Sequence, residues 1–332
     1  MELTSPAQKE ALDRGLLPPL DQVRNDVWAL AQPMPGGHLA YSLTYLLKDS
    51  DGGVHVIDPG WDSDENWGRL TGALADVAPG GAVTGITGTH LHPDHVGLIA
   101  KLREATGARA AMHDVERRTL EGHSTREFDA AAASARFEKW GVPAGRRGEL
   151  EQHLDRSPAG ARLAVDDSLA DGDILPIPGF TVSVMTTPGH TAGHICLRDD
   201  DRGLLLTGDH VLPNVVSGLG LGGATTSNPL ADYLASIERV SGFPDHEALP
   251  GHGYRFRGLA DRAAACAEHH LTRTREVAAV LTAAAPEQPP VWEIASQLTW
   301  TAGWDGLHGF HLLSALSQTE MHRDYVTSRR TD

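Results

Sequence analysis

At 332 residues, with 40% hydrophobic content and 36 glycines, the chain can build one large or two smaller domains of a loop-rich globular α/β protein. Its 44 acidic residues outweigh 28 basic ones, and the resulting formal charge of −16 argues against long-range attraction of nucleic acid or an anionic membrane surface. Two cysteines, Cys196 and Cys266, are too few for a disulfide framework, and no stretch reaches the roughly 18 apolar residues that span a bilayer, so a cytoplasmic protein of a reducing compartment is expected.

In chain order, residues 1–26 read as an N-terminal arm containing Pro18-Pro19. A body over 27–261 begins with strand patterns at 27–31, 39–48, 54–57 and 83–87, with helical periods at 65–77 and 96–106 between them. A short strand at 108–112 precedes a helix-like insert over 114–154, whose larger apolar groups are Phe128, Phe137, Trp140, Leu150 and Leu154. Strands resume at 162–184 and 195–206 and end near His252. The last piece, 262–332, is all-helical, with periods at 262–284, 291–298 and 307–325 separated by Pro286 and Pro289-Pro290.

The segment Thr89-His90-Leu91-His92-Pro93-Asp94-His95 packs four potential metal ligands into six residues. His90 and His92, just past an apolar run, can converge on one ion, while Asp94 and His95 turn the other way and can reach a second. Pro93 stiffens the turn between them. Imidazole and carboxylate together suit Zn²⁺ or a similar divalent ion. Three more strand ends carry potential ligands beside glycine: Thr187-Pro188-Gly189-His190-Thr191-Ala192-Gly193-His194, Thr207-Gly208-Asp209-His210 and Pro250-Gly251-His252-Gly253. Upstream, Val54-His55-Val56-Ile57-Asp58-Pro59-Gly60 is a strand that stops on an acid. The chain holds 18 histidines, so abundance alone carries no weight; order and spacing do.

This ordered set resembles the metallo-β-lactamase fold superfamily over roughly residues 27–253, and more narrowly its glyoxalase II-like and lactonase-like branches. The resemblance implies an α/β four-layer αββα sandwich followed by a small C-terminal helical domain. It implies one metal on His90, His92 and His190, a second on Asp94, His95 and His252, and Asp209 bridging the two. Asp58 is expected to support the site without ligating. Two Zn²⁺ ions per chain are the default, with Fe or Mn accepted by the same ligands. A metal-bound hydroxide would then attack an ester, thioester or lactone carbonyl, with Asp94 orienting it or accepting its proton. The alternatives are phosphodiester or RNA cleavage, a β-lactam side activity, and a non-catalytic binding protein.

The resemblance also places the 114–154 insert over the metal site, where Phe128, Phe137 and Trp140 either face substrate or dock the insert to the body. His113 is expected in the pocket, not in the ligand set. His194 and His210 are expected to face away from the metals by strand alternation. The tail resembles the winged-helix-like domain of one branch, yet little chain follows Tyr325 to build a wing. It is therefore expected to pack beside the site or form a homodimer surface, and not to read DNA. The expected partner is a small-molecule substrate, without nucleic acid or membrane.

Overall fold

The computed structural model describes residues 1–332 except 36–38, 126–129, 155–164, 223–224 and 330–332. Among the described residues the strands form two sheets. The seven-stranded sheet runs in chain order: Asp21–Arg24, Val27–Pro33, Tyr41–Lys48, Val54–Ile57, Val83–Thr87, Ala110–His113 and Asp167–Leu169. The six-stranded sheet is ordered Glu2–Leu3, Phe256–Arg257, Glu247–Pro250, Leu204–Gly208, Ile195–Asp199 and Val182–Thr186.

Side-chain alternation explains how the sheets stack. Val27, Ala29 and Ala31 pack with Tyr41, Leu43, Tyr45 and Leu47 against Val182, Val184, Ile195, Leu197, Leu204 and Leu206 of the other sheet, which makes the central core. The opposite face of the seven-stranded sheet, with Leu46, Val54, Val56 and Ile86, is covered by Leu70, Ala73 and Val77 of the helix Asp64–Val77 and by Ile99 and Leu102. The outer face of the six-stranded sheet, with Met185, Cys196, Leu205 and Ala248, is covered by Leu230, Tyr233, Ile237 and Val240 of the helix Pro229–Ser241. The result is the αββα layering expected from the sequence.

Both covering helices are fixed at their starts. Ser63 accepts the amide of Asn66 at 3.1 Å, and Asp64 and Glu65 place negative charge in the first turn. Asn228 accepts the amides of Leu230 and Ala231, with Pro229 pre-set for the first helical position. Parallel pairing of Val54–Ile57 with Val83–Thr87, and of Leu204–Gly208 with Glu247–Pro250, requires helical crossovers. Each of these four strands therefore delivers a turn to the same edge of the sandwich.

The first 26 residues are more than an arm. Glu2–Leu3 pairs with Phe256–Arg257, and Asp21–Arg24 pairs with Val27–Pro33, so each sheet gains an edge strand from this segment. Asp21 accepts from the Ser5 hydroxyl at 2.7 Å and from the Arg255 guanidinium at 2.8 Å, which ties the segment to the body.

The tail consists of Leu259–Ala283, Val291–Ser296 and Gly309–Ser328, with no strand among the described residues after Arg257. Its apolar faces meet the insert: Phe137, Trp140, Val142 and Leu150 form one cluster with Val291, Ala295, Leu312, Leu313 and Leu316. Phe137 and Trp140 are fully buried there. The reading that set them in a substrate pocket is corrected. Spaced three apart near the end of the helix Ala130–Lys139, they are the apolar stripe that docks the insert onto the tail. A fully buried tryptophan of this kind contributes about 3–5 kcal/mol against truncation to alanine. Phe128 lies outside the described residues. Among those described, no helix is long and apolar enough to cross a membrane.

Candidate metal centre

The strand ends deliver two groups of potential ligands to one place. His90, His92, His190 and Asp209 form one, and Asp94, His95 and His252 the other, with the ligand atoms of each group within 4.8 Å of one another. His90 and His92 leave the strand Val83–Thr87, and Pro93 starts the one-turn helix Pro93–Val96 that swings Asp94 and His95 to the far side. His190 follows the strand Val182–Thr186, Asp209 follows Leu204–Gly208, and His252 follows Glu247–Pro250. Asp209 stands between the groups: its carboxylate lies 3.7 Å from His190 Nε2, 3.5 Å from His95 Nε2 and 3.3 Å from His252 Nε2. A Cβ at Gly251 would collide with the Asp209 carboxylate and the His95 ring, so the approach of that turn requires glycine.

Hydrogen bonds fix which nitrogen of four of the five rings faces inward, His92 being the exception. His95 Nδ1–H donates to Asp58 Oδ2 at 2.9 Å, His252 Nδ1–H to the Tyr41 carbonyl at 2.7 Å, and His190 Nδ1–H to the Gly218 carbonyl at 2.7 Å. The Thr89 hydroxyl donates to Asp58 Oδ2 at 2.7 Å, which leaves its oxygen to accept from His90 Nδ1–H at 3.0 Å. Asp58 Oδ1 also accepts the Thr89 amide at 2.7 Å. Asp58 thus bonds His95 directly and reaches His90 through Thr89, contacts by which a carboxylate can orient rings in both groups. It adopts φ +51°, and among the described residues it is alone among non-glycines in having positive φ, a local cost that sites of function commonly carry.

In the first group the inner nitrogens converge without enough protons to satisfy them. His90 Nε2 lies 2.9 Å from His92 Nδ1, and His190 Nε2 lies 3.1 Å from the same atom. His90 and His190 already carry their proton on Nδ1, so at most one proton can sit among the three facing nitrogens of neutral rings. Asp209 Oδ1 is buried and lacks a hydrogen-bond partner. At least two facing lone pairs and an orphaned carboxylate oxygen are what a divalent cation would satisfy, and the donor set of imidazole and carboxylate fits zinc or a neighbouring transition metal.

The electrostatics of the two groups differ. Burial, reinforced by His190, pushes His92 down to about 3, and burial also lowers His90 and His190. In the other group burial alone would lower His252, but Asp209 and Asp94 override it and push it up to about 9. His95 is raised as well, against its burial, by Asp209, Asp94 and Asp58. Burial acts to raise Asp94 and Asp209, yet the facing imidazoles hold both below the usual carboxylate range.

The other residues singled out in the sequence fall around this centre. His113 is half-buried, accepts the Val115 amide at 3.3 Å, and lies against Gly193, where an added Cβ would come within 2.8 Å of its Nδ1. His194 lies beside the first group, its ring centroid 5.2 Å from that of His90, and its Nε2 accepts the Asp209 amide at 3.1 Å, so it positions the acid's backbone. The His210 ring packs on Tyr233, with centroids 4.8 Å apart. Residues missed in the sequence are Thr89, which relays Asp58 to His90, and Glu116, which accepts the amides of Leu91 and Gly193. Adjacency to the His motif could have flagged Thr89. Glu116 carried no signal, being one acid among several on a polar helix.

Residues 39–252 match the profile of the Metallo-beta-lactamase superfamily. A metallo-beta-lactamase family protein of Thermus thermophilus superposes with a TM-score of 0.72 at 27% identity, covering 93% of this chain and 95% of that one. A beta-lactamase domain protein of Burkholderia ambifaria gives a TM-score of 0.75 at 26% identity, covering 94% and 88%. Hydroxyacylglutathione hydrolase of Rhizobium johnstonii is 38% identical over 91 residues, which is 27% of this chain and 33% of that relative, so the match spans only about a third of the named enzyme. The family match runs from residue 39 to 252, the stretch that holds both ligand groups and the supporting Asp58, and the chain belongs to the metallo-β-lactamase superfamily.

Proposed function

We propose that this chain is a dinuclear metal-dependent hydrolase of an ester, thioester or lactone carbonyl. The observation that carries the reading is the pair of ligand groups facing each other across Asp209, with inward-facing lone pairs on His90, His92 and His190 that the protons of those rings cannot satisfy. His90, His92 and His190 would hold one cation, Asp94, His95 and His252 a second, and Asp209 both. When bound, such a pair acidifies water toward neutrality and polarises the scissile carbonyl.

The chain's own residues supply orientation and proton handling. Asp94 Oδ2 lies 3.2 Å from His252 Nε2 and 3.5 Å from His95 Nε2, with 13% of its side chain still exposed, so it can accept a hydrogen bond from the attacking water. Its own backbone is pinned where the Ser42 hydroxyl donates to the Asp94 carbonyl at 2.7 Å. Because Asp94 is held below the usual carboxylate range, it stays ionised at neutral pH, the form that orientation requires. Thr89, Gly218 and Tyr41 fix ring tautomers and prevent the imidazoles from turning outward.

Acyl hydrolysis is favoured over phosphodiester cleavage by two considerations. One local relative is named a hydroxyacylglutathione hydrolase. The net charge of −16 opposes a polyanionic substrate. The test is metal content of the purified chain together with hydrolysis of p-nitrophenyl esters, acyl thioesters, lactones and bis-p-nitrophenyl phosphate. Two zinc ions per chain with chelator-sensitive acyl hydrolysis is the expected result. Two metals with phosphodiester cleavage alone would overturn the substrate class, and absence of both metal and turnover would overturn the reading itself.

A further inference from the structure

A buried carboxylate outside the ligand groups joins the two loops that carry the first group. Glu116 is fully buried on the helix Asp114–Thr125, the opening of the insert. Its Oε2 accepts the amide of Leu91, the residue between His90 and His92, at 2.8 Å. Its Oε1 accepts the amide of Gly193, three residues past His190, at 2.6 Å. One of these loops leaves the seven-stranded sheet and the other the six-stranded sheet, so the carboxylate spans the two layers beside the His90 and His190 rings, whose centroids are 4.9 Å apart. Space around it is reserved: a Cβ at Gly193 would come within 2.8 Å of Oε1. No lysine or arginine among the described residues forms an ion pair with it, and burial pushes its pKa up to about 7 against the pull of the two amides. A desolvated, unpaired carboxylate is costly to maintain, and here its bonds go to the backbone beside ligands.

We propose that Glu116 is a positioning residue that clasps the His90–His92 loop to the His190 loop and thereby sets the first cation position, while the Asp94–His95–His252 position is independent of it. The inference rests on the dinuclear reading above. Both amides need an acceptor, and a carboxylate offers one to each. A glutamine offers a single carbonyl oxygen and turns an NH₂ donor against the other amide, which releases one loop.

The experiment is a Co²⁺ titration of metal-free full-length protein by chelator competition, reading the visible absorption of bound cobalt, with thermal midpoints recorded in parallel. His92→Ala and His252→Ala identify which binding phase belongs to which position. In Glu116→Gln the phase lost in His92→Ala is expected to weaken about 10- to 100-fold, the usual effect of removing a partner that orients ligands, with the other phase unchanged. Gly193→Ala, which drives a methyl group against the same carboxylate, is expected to give the same selective weakening. Two unchanged phases, or equal weakening of both with a lowered thermal midpoint, would overturn the role of Glu116. A wild-type protein that binds no cobalt would instead overturn the dinuclear reading on which it stands.

Discussion

The two halves of the candidate centre use similar ligands but are held in opposite ways. The His90–His92–His190 half has three imidazoles lowered by burial and no carboxylate of its own apart from the shared Asp209. Its geometry comes from uncharged contacts with Thr89 and Gly218, and from the Glu116 clasp. The Asp94–His95–His252 half is instead a knot of opposite charges, in which raised imidazoles face depressed carboxylates. Burial alone therefore does not set the protonation of such a cluster. With the rings of both halves buried and only His92 partly exposed, the number of facing carboxylates decides whether the imidazoles stay neutral or keep protons that a metal would have to displace.

The widest break in this comparison is expected from Asp209→Ala, which removes the residue common to both halves. Metal content should fall at both positions and kcat/KM by more than about a hundredfold, beyond the loss typical of a merely orienting partner. Retention of full metal and activity would mean that Asp209 is not shared. A smaller and graded effect is expected from Asp58→Asn. Asp58 bonds His95 directly and His90 only through Thr89, so the His252-linked phase of a cobalt titration should weaken most, within about 10- to 100-fold, and the other phase less. Equal weakening of both phases would erase the distinction between direct and relayed support.

The smallest effect is one of pH on the metal-free protein. His252 is raised from 6.5 to about 9 and His95 is raised too, so the folded state binds protons that the unfolded chain has released. Their stabilisation is complete below pH 6.5 and is lost as pH rises through about 9. The thermal midpoint of metal-free protein should therefore fall across that window. The loaded protein should not follow, because the metal has taken the place of the protons. Parallel thermal melts from about pH 6 to about pH 10 check this, and identical profiles would show that the second half carries no such protons.

Much of the centre was legible because it is local in sequence. The His90 to His95 motif, the His190 turn, Asp209, His252 and the supporting Asp58 each sit at a strand end beside a turn residue, and an apolar run followed by such a turn is readable without a structure. The αββα layering was legible for a related reason, since strand alternation and helical period mark the buried faces. The insert was less so. Phe137 and Trp140 have the same apolar pattern whether they face a substrate or a neighbouring helix, and only their burial against Leu312 and Leu316 separates the two.

Short-range spacing and backbone geometry make the candidate ligand types, their order and the strand ends that present them readable from the chain alone. Which imidazoles face carboxylates, which ring nitrogens turn inward, and the reach of Glu116 to two loops from different sheets come only from the folded packing. Those properties depend on distances between residues as many as 211 positions apart, as between Tyr41 and His252. Such distances are set by the packing of the two sheets against each other, and no local pattern along the chain records them.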